Sequence, residues 1–301
     1  MKPYYSAAQK RQIAKEFHSF CYNKVPLVEI NSLLLTIAPT NTAGTEIYQF
    51  CHYGIGRRLI IMHQCVQNVF DIRPIEQDEP PTEQEALNLT INLQTFFIHL
   101  YGIFENLARV YALSIKFNGK LRDISFFEKN EKLLKTLPND IYNNFMNDIT
   151  WYNHIKSLRH PLAHQEPFYI PKNDVIMDYK KEWETLEKEK QELQNRHLFA
   201  LCDRAFKEQQ RNSLGIMPSI EELNKELQQH NKLEQQLEQD IQKLCKKQSE
   251  YEMFIPMIVT NTQSEHRIMI QYYPQILVDM KTVYQKLALI LKHICSLEKD
   301  T

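Results

Sequence analysis

Glycine is scarce in this chain, with six among 301 residues. That scarcity disfavours folds made of many tight turns, and neither a Walker-type phosphate loop nor a dinucleotide fingerprint is present. Charge of one sign is also lacking. The formal net charge of −1 gives the protein no global attraction to nucleic acid, although a local basic pocket stays open. The six cysteines (Cys21, Cys51, Cys65, Cys202, Cys245 and Cys295) are far apart and form no Cys-x-x-Cys pair. They read as reduced, mostly buried thiols rather than a disulfide frame or zinc knuckle. No uncharged apolar run approaches the roughly 20 residues of a membrane span. Residues Met1 to Ser6 carry no apolar segment of a secretory signal. The expectation is a soluble, cytoplasmic protein with no membrane partner.

What is present is helical periodicity. Helices are expected from Ser6 to about Tyr22, over Pro26–Ile37 and over Glu46–Asp71, with a loop at Asn41–Gly44. An acidic, proline-bearing break follows from Arg73 to Pro81. Thr82 and Glu85 then form a capping box, because hydroxyl and carboxylate can each satisfy a free amide of the first turn. The helix they open carries Leu93, Phe96, Phe97, Leu100, Ile103, Phe104, Leu107, Val110 and Tyr111 at three- and four-residue steps. It should stop near Asn118-Gly119. A short helix over Phe126–Thr136 is expected to lead into a longer one from about Pro138 to Arg159, interrupted by Pro161. Extended pieces at 167–171 and 268–273 are candidates to pair as a ribbon.

Between about Val175 and Glu252 the chain turns rich in Glu, Gln and Lys. Ile220, Leu223, Leu227, Leu237, Ile241 and Leu244 fit a heptad seam, with His230 and Glu234 at positions that would ordinarily be apolar. Trp183, Leu186 and Leu193 supply an earlier arm. Gly215–Pro218 separates the two, and Ser219 and Glu222 repeat the capping-box pattern. The expectation is an antiparallel, coiled-coil-like hairpin. A last helix, Pro274 to about Leu297, is apolar enough to join the core. The chain therefore divides into N-terminal helices (1–80), core helices (82–175), a charged hairpin insertion (176–252) and a closing segment with the last helix (253–301). The fold class is all-α, with at most a small two-stranded ribbon.

One segment carries chemistry. In Ser157–His164 an arginine, Arg159, precedes His164 by five residues, and His160 follows the arginine directly. Around a break at Pro161, one turn would bring Arg159 and His164 together. A permanently charged fork beside an imidazole is suited to phosphate chemistry: the arginine offsets charge on phosphate oxygens and the histidine moves a proton. His160 and His164, four apart, resemble half of a zinc site. No His-Glu-x-x-His pattern or third ligand accompanies them, so neither a metal nor a cofactor is expected. His63, His99 and His154 lie on or near apolar faces and read as core or interface histidines.

Arg-x-x-x-x-His after a long apolar helix resembles the signature of HEPN-domain proteins. Tyr101-Gly-Ile-Phe-Glu105-Asn106-Leu-Ala resembles the acidic-plus-Asn helix that such domains often carry before the motif. The resemblance covers roughly residues 84–175 with the C-terminal helix, and leaves out the N-terminal helices and the hairpin. It implies an HEPN-like helical bundle that dimerises and, in many members, a metal-independent endoribonuclease acting as a toxin or defence effector. By carry-over Arg159 would stabilise the scissile phosphate and His164 would act as general acid and base, leaving a 2′,3′-cyclic phosphate. His160 takes the variable polar position, and Glu105 and Asn106 would orient the pair. The implied partners are RNA, a second copy of the chain, and an antitoxin or other protein. The competing reading is a non-catalytic scaffold that binds RNA, a nucleotide or a protein through the same pocket. A third makes the 175–252 hairpin an interaction arm.

Overall fold

The computed structural model describes residues 4–126, 132–164, 168–170, 174–175, 180–214, 219–249, 252–253, 255–260 and 268–297, with the backbone alone at 160–164, 174–175, 180, 211–212, 214, 220, 223, 249, 252–253, 260 and 268–269. The protein is all-α. Its helices are α1 (Ala7–Tyr22), α2 (Val25–Ile37), α3 (Glu46–Tyr48), α4 (Arg57–Ile72), α5 (Glu83–Ser114), α6 (Asn139–Asn147), α7 (Ile149–His164), α8 (Lys180–Leu214), α9 (Ile220–Ser249) and α10 (Tyr272–Leu297). Contacts divide them into two compact units: Tyr5–Gln77, Pro81–Lys172 and Ile255–Thr301 form the larger, and Met1–Tyr4, Asp78–Pro80 and Asn173–Phe254 the smaller.

In the larger unit α5 is the central element. Its start is fixed by the capping box, with Thr82 N–H donating to Glu85 Oε2 at 2.7 Å and Glu85 N–H to Thr82 Oγ1 at 3.2 Å. Those bonds also hold the Glu85 carboxyl below its usual range. The helix buries Leu89, Leu93, Phe96, Phe97, Leu100, Ile103, Phe104, Leu107, Val110 and Tyr111. It ends earlier than the Asn118-Gly119 pair suggests. Lys116 takes the left-handed conformation (φ 51°), and the Phe117 amide closes back on Ala112 O at 2.8 Å. Helix α10 buries Ile276, Met280, Val283, Leu287, Ile290, Leu291 and Ile294 in the same core. Aromatic edges join the layers, with Phe104 against Tyr152 at 5.2 Å and Phe97 against Phe168 at 5.8 Å.

Four local expectations are corrected. The helix expected over 46–71 contains a π-helical segment, Gln49–Gly56, between α3 and α4. Of the helix expected at 126–136, the described residues contain a 3₁₀ turn at Leu134–Thr136, and residues 127–131 lie outside them. The helix expected from Pro138 to Arg159 is two, α6 and α7, meeting at Asp148. The reason lies on α10: the buried Lys286 ammonium donates to Asn144 O at 2.8 Å, to Asn144 Oδ1 at 2.5 Å, and ion-pairs with Asp148. It thus satisfies backbone and side-chain acceptors at the end of α6. Finally, α7 passes through Pro161 to His164. A proline in a last turn removes one amide donor and leaves the remaining turns able to form.

The ribbon pairs differently too. Strand β3 (Met257–Thr260) runs antiparallel to β4 (Ile268–Gln271), and the 167–171 piece meets the ribbon through a single bridge, Tyr169 to Val259. The smaller unit holds a second ribbon, β1 (Asp174–Val175) with β2 (Glu252–Met253). Its body is the hairpin of α8 and α9. Lys190 and Glu187 meet Gln248 at one end, and Arg204 faces Glu234 at 3.7 Å further along, so the two helices are antiparallel. Leu186 and Leu237 are buried between them, Glu234 is half-buried in the seam, and Gly215–Pro218 lie outside the described residues. Of the cysteines, Cys51 and Cys65 are buried and Cys202 and Cys245 exposed, so the thiols are less buried than expected. Among the described residues no helix is long and apolar enough to cross a membrane.

Candidate functional site

Helix α7 lies along α5 and delivers Arg159 to it. The half-buried guanidinium sits over the Tyr101 ring, 4.9 Å from its centroid, and forms no ion pair with any described residue. Because α7 is continuous, positions 159 and 164 are separated by roughly 7.5 Å along the axis and about 140° around it. The close turn expected at Pro161 is therefore absent from the backbone. The side chains of His160 and His164 lie outside the described residues.

Tyr101 also lines a cleft of about 540 Å³, together with Glu105, Asn106, Gly102, Phe50 and three arginines, Arg58, Arg109 and Arg122. Tyr101 and Glu105 are four apart on α5 and share a face. Glu105 is exposed, and makes no ion pair with Arg159. Asn106 is held: its Nδ2 donates to Gly54 O at 3.1 Å. The structure thus gathers Arg159, Glu105 and Asn106 around Tyr101 and the cleft, with Asn106 tied to the π-helical segment and not to the motif.

The three cleft arginines were not marked out by the sequence. Arg58, at the start of α4, donates through Nη1 to His99 Nδ1 at 3.0 Å, since a guanidinium has no acceptor to offer. Burial, reinforced by the Arg58 charge, pushes the His99 imidazole below its usual range, which favours that accepting, neutral form. Arg58 fits there because residue 102 is glycine: a Cβ at that position would lie 2.6 Å from the guanidinium carbon. Arg109 stacks over Phe50 at 5.2 Å. Arg122 stands on a short turn, Leu121–Asp123. Its neighbour Asp123 is buried, ion-paired with Lys132 at 3.1 Å and bonded to the Lys120 amide, and these contacts hold its carboxyl low. A signal for this cleft existed in Gly54 and Gly102, two glycines inside apolar helical pattern.

His63 and His154, like His99, are half-buried, and burial lowers the basicity of all three. Among the described residues no group of three or more His, Cys, Asp or Glu side chains is placed to hold a metal ion. Comparisons with protein-family models, with curated proteins and with solved structures find no significant match to this chain.

Proposed function

We propose that the end of α7 is a phosphodiester-handling site and that the protein is an HEPN-like, metal-independent endoribonuclease, a toxin or defence effector. The observation that carries this reading is the Arg159 guanidinium, which pairs with no carboxylate among the described residues and is laid against Tyr101 at the edge of a cleft with three more arginines. An unneutralised, half-buried cation is costly unless an anion completes it. Arg159 would hold a non-bridging phosphate oxygen. His164 would take the proton of the ribose 2′-hydroxyl as its oxygen attacks phosphorus. The bond to the 5′-oxygen then breaks, giving a 2′,3′-cyclic phosphate and, after proton return, a 5′-hydroxyl. The reading carries a homodimer with it, which sedimentation equilibrium of the full chain would reveal.

One observation favours a second reading, an RNA-binding scaffold that does not cut: the continuous helix separates positions 159 and 164 by more than a turn. The two are separated by incubating the full chain with total RNA in EDTA and mapping new ends. Arg159→Ala and His164→Ala should each lower cleavage by about 10²-fold or more. RNA that stays bound but intact at high protein excess gives the scaffold reading. Cleavage surviving both substitutions would sink the site.

A further inference from the structure

We propose that the cleft bounded by Arg58, Arg109 and Arg122 is a second anion site, which binds two adjacent phosphate groups independently of Arg159 and His164. The charge count points that way. Three guanidinium groups face one carboxylate, Glu105, in a chain whose overall charge is −1. None of the three arginines makes an ion pair among the described residues; Asp123, the carboxylate nearest in sequence, is paired with Lys132, and the Arg122 charge acts on it only as a smaller, longer-range pull.

Two of the arginines are also oriented, while Arg122 is exposed. His99 holds Arg58 on one nitrogen, leaving the rest of its planar donor edge available, and Phe50 supports the flat face of Arg109. Two glycines give up helix stability to shape this place. Gly102 admits the Arg58 guanidinium against the α5 backbone, and Gly54 admits Asn106, whose Cγ would lie 2.7 Å from a Cβ there. The wall opposite α5 includes Phe50 of the π-helical segment, a distortion that recurs at binding sites. A cleft of about 540 Å³ accommodates a nucleotide-sized group. Paired phosphates can come from a nucleoside polyphosphate or from the backbone of single-stranded RNA, and forked arginine donors suit both.

The test titrates the full-length protein calorimetrically in EDTA at low salt. One arm uses inorganic tripolyphosphate, and the other a short 2′-O-methyl RNA that cannot form a cyclic phosphate. Saturable binding of either is expected, and tripolyphosphate binding alone marks a free polyphosphate as the ligand. The double variant Arg109→Gln/Arg122→Gln should weaken binding by at least about tenfold, the size of a lost charge-assisted hydrogen bond. Gly102→Ala should weaken it with no change of charge, by displacing Arg58. If that variant melts early, Arg58→Lys, which keeps the charge and loses the fork, takes its place. Arg159→Ala should leave tripolyphosphate binding unchanged even where it stops RNA cleavage, so this site and the ribonuclease reading can fail separately. No binding in either arm, equal affinity in the double variant, or loss of tripolyphosphate binding in Arg159→Ala would overturn the proposal.

Discussion

Replacing Asp279 by Asn should remove a large part of the pH dependence of stability in the helical bundle. Asp279 lies on α10 and is fully buried. Its Oδ1 accepts from Trp151 Nε1 and Gln275 Nε2, each at 2.8 Å, while Oδ2 has no hydrogen-bond partner among the described residues. Burial dominates and pushes the carboxyl up to about 7, with the two donors pulling the other way. An unfolded aspartate titrates near about 3.9. A folded value above the unfolded one means that the contribution is fully present below about pH 3.9 and is lost as the pH rises through about 7. Linkage between those two values gives a loss of roughly 3 kcal/mol between pH 5 and pH 8. Asn keeps an oxygen for both donors and cannot ionise, so the stability difference between the two proteins should change by that amount across the same window. Histidines titrate in both proteins and drop out of the difference. Urea unfolding at several pH values measures it, and the protein supplies a local reporter. It has two tryptophans, so Trp183→Phe leaves Trp151, the group bonded to Asp279, as the fluorophore. A difference that stays constant within about 0.5 kcal/mol from pH 5 to pH 8 would refute the reasoning.

Gly54→Ala should destabilise the protein by about 1–3 kcal/mol, although alanine is worth roughly 1 kcal/mol more than glycine in an unobstructed helix. The new methyl would lie 2.7 Å from Asn106 Cγ and break the Asn106–Gly54 bond, and a rise in Tm would contradict the close approach. Lys286→Met keeps the buried stem and removes the ammonium from Asn144 and Asp148, for a loss of roughly 2–3 kcal/mol in urea unfolding. An unchanged midpoint would mean that the lysine does not hold the α6–α7 junction.

The parts of the fold that were legible in the sequence are those decided by local chemistry. The capping boxes at Thr82 and Ser219 show in both residue types and spacing, and the bonds form as those types require. The stripe of α5 is long enough for periodicity to name most of its buried side chains, and the last helix is apolar enough to be placed in the core. The misses come from distant partners. The break at Asp148 depends on Lys286, 138 residues later and itself an ordinary-looking lysine in an apolar helix. Ribbon pairing went to the nearer strand, β3, which leaves Tyr169 a single bridge. Intrinsic propensity makes Pro161 a break, yet one missing donor in a last turn does not end the helix.

The cleft shows why a site can be harder to read than a core. Arg58, Arg109 and Arg122 come from three separate segments, and each alone reads as a solvated cation. Burial periodicity carries no information about which exposed charges converge. Glycine does carry some, because a chain that uses it rarely has few neutral reasons to place it inside a helix. At Gly54 and Gly102 the missing Cβ makes room for Asn106 and Arg58, two side chains that line the same cleft. Helix propensity disfavours both glycines by roughly 1 kcal/mol each, so packing that needs the space must outweigh it. The same two positions therefore hold both structural and chemical information. Gly56, in the same helical stretch, makes the contrast: a Cβ there would meet only Cys51 O at 3.6 Å and the Leu34 side chain at 3.9 Å, so it is the close approach of a polar side chain from another element that sets Gly54 and Gly102 apart.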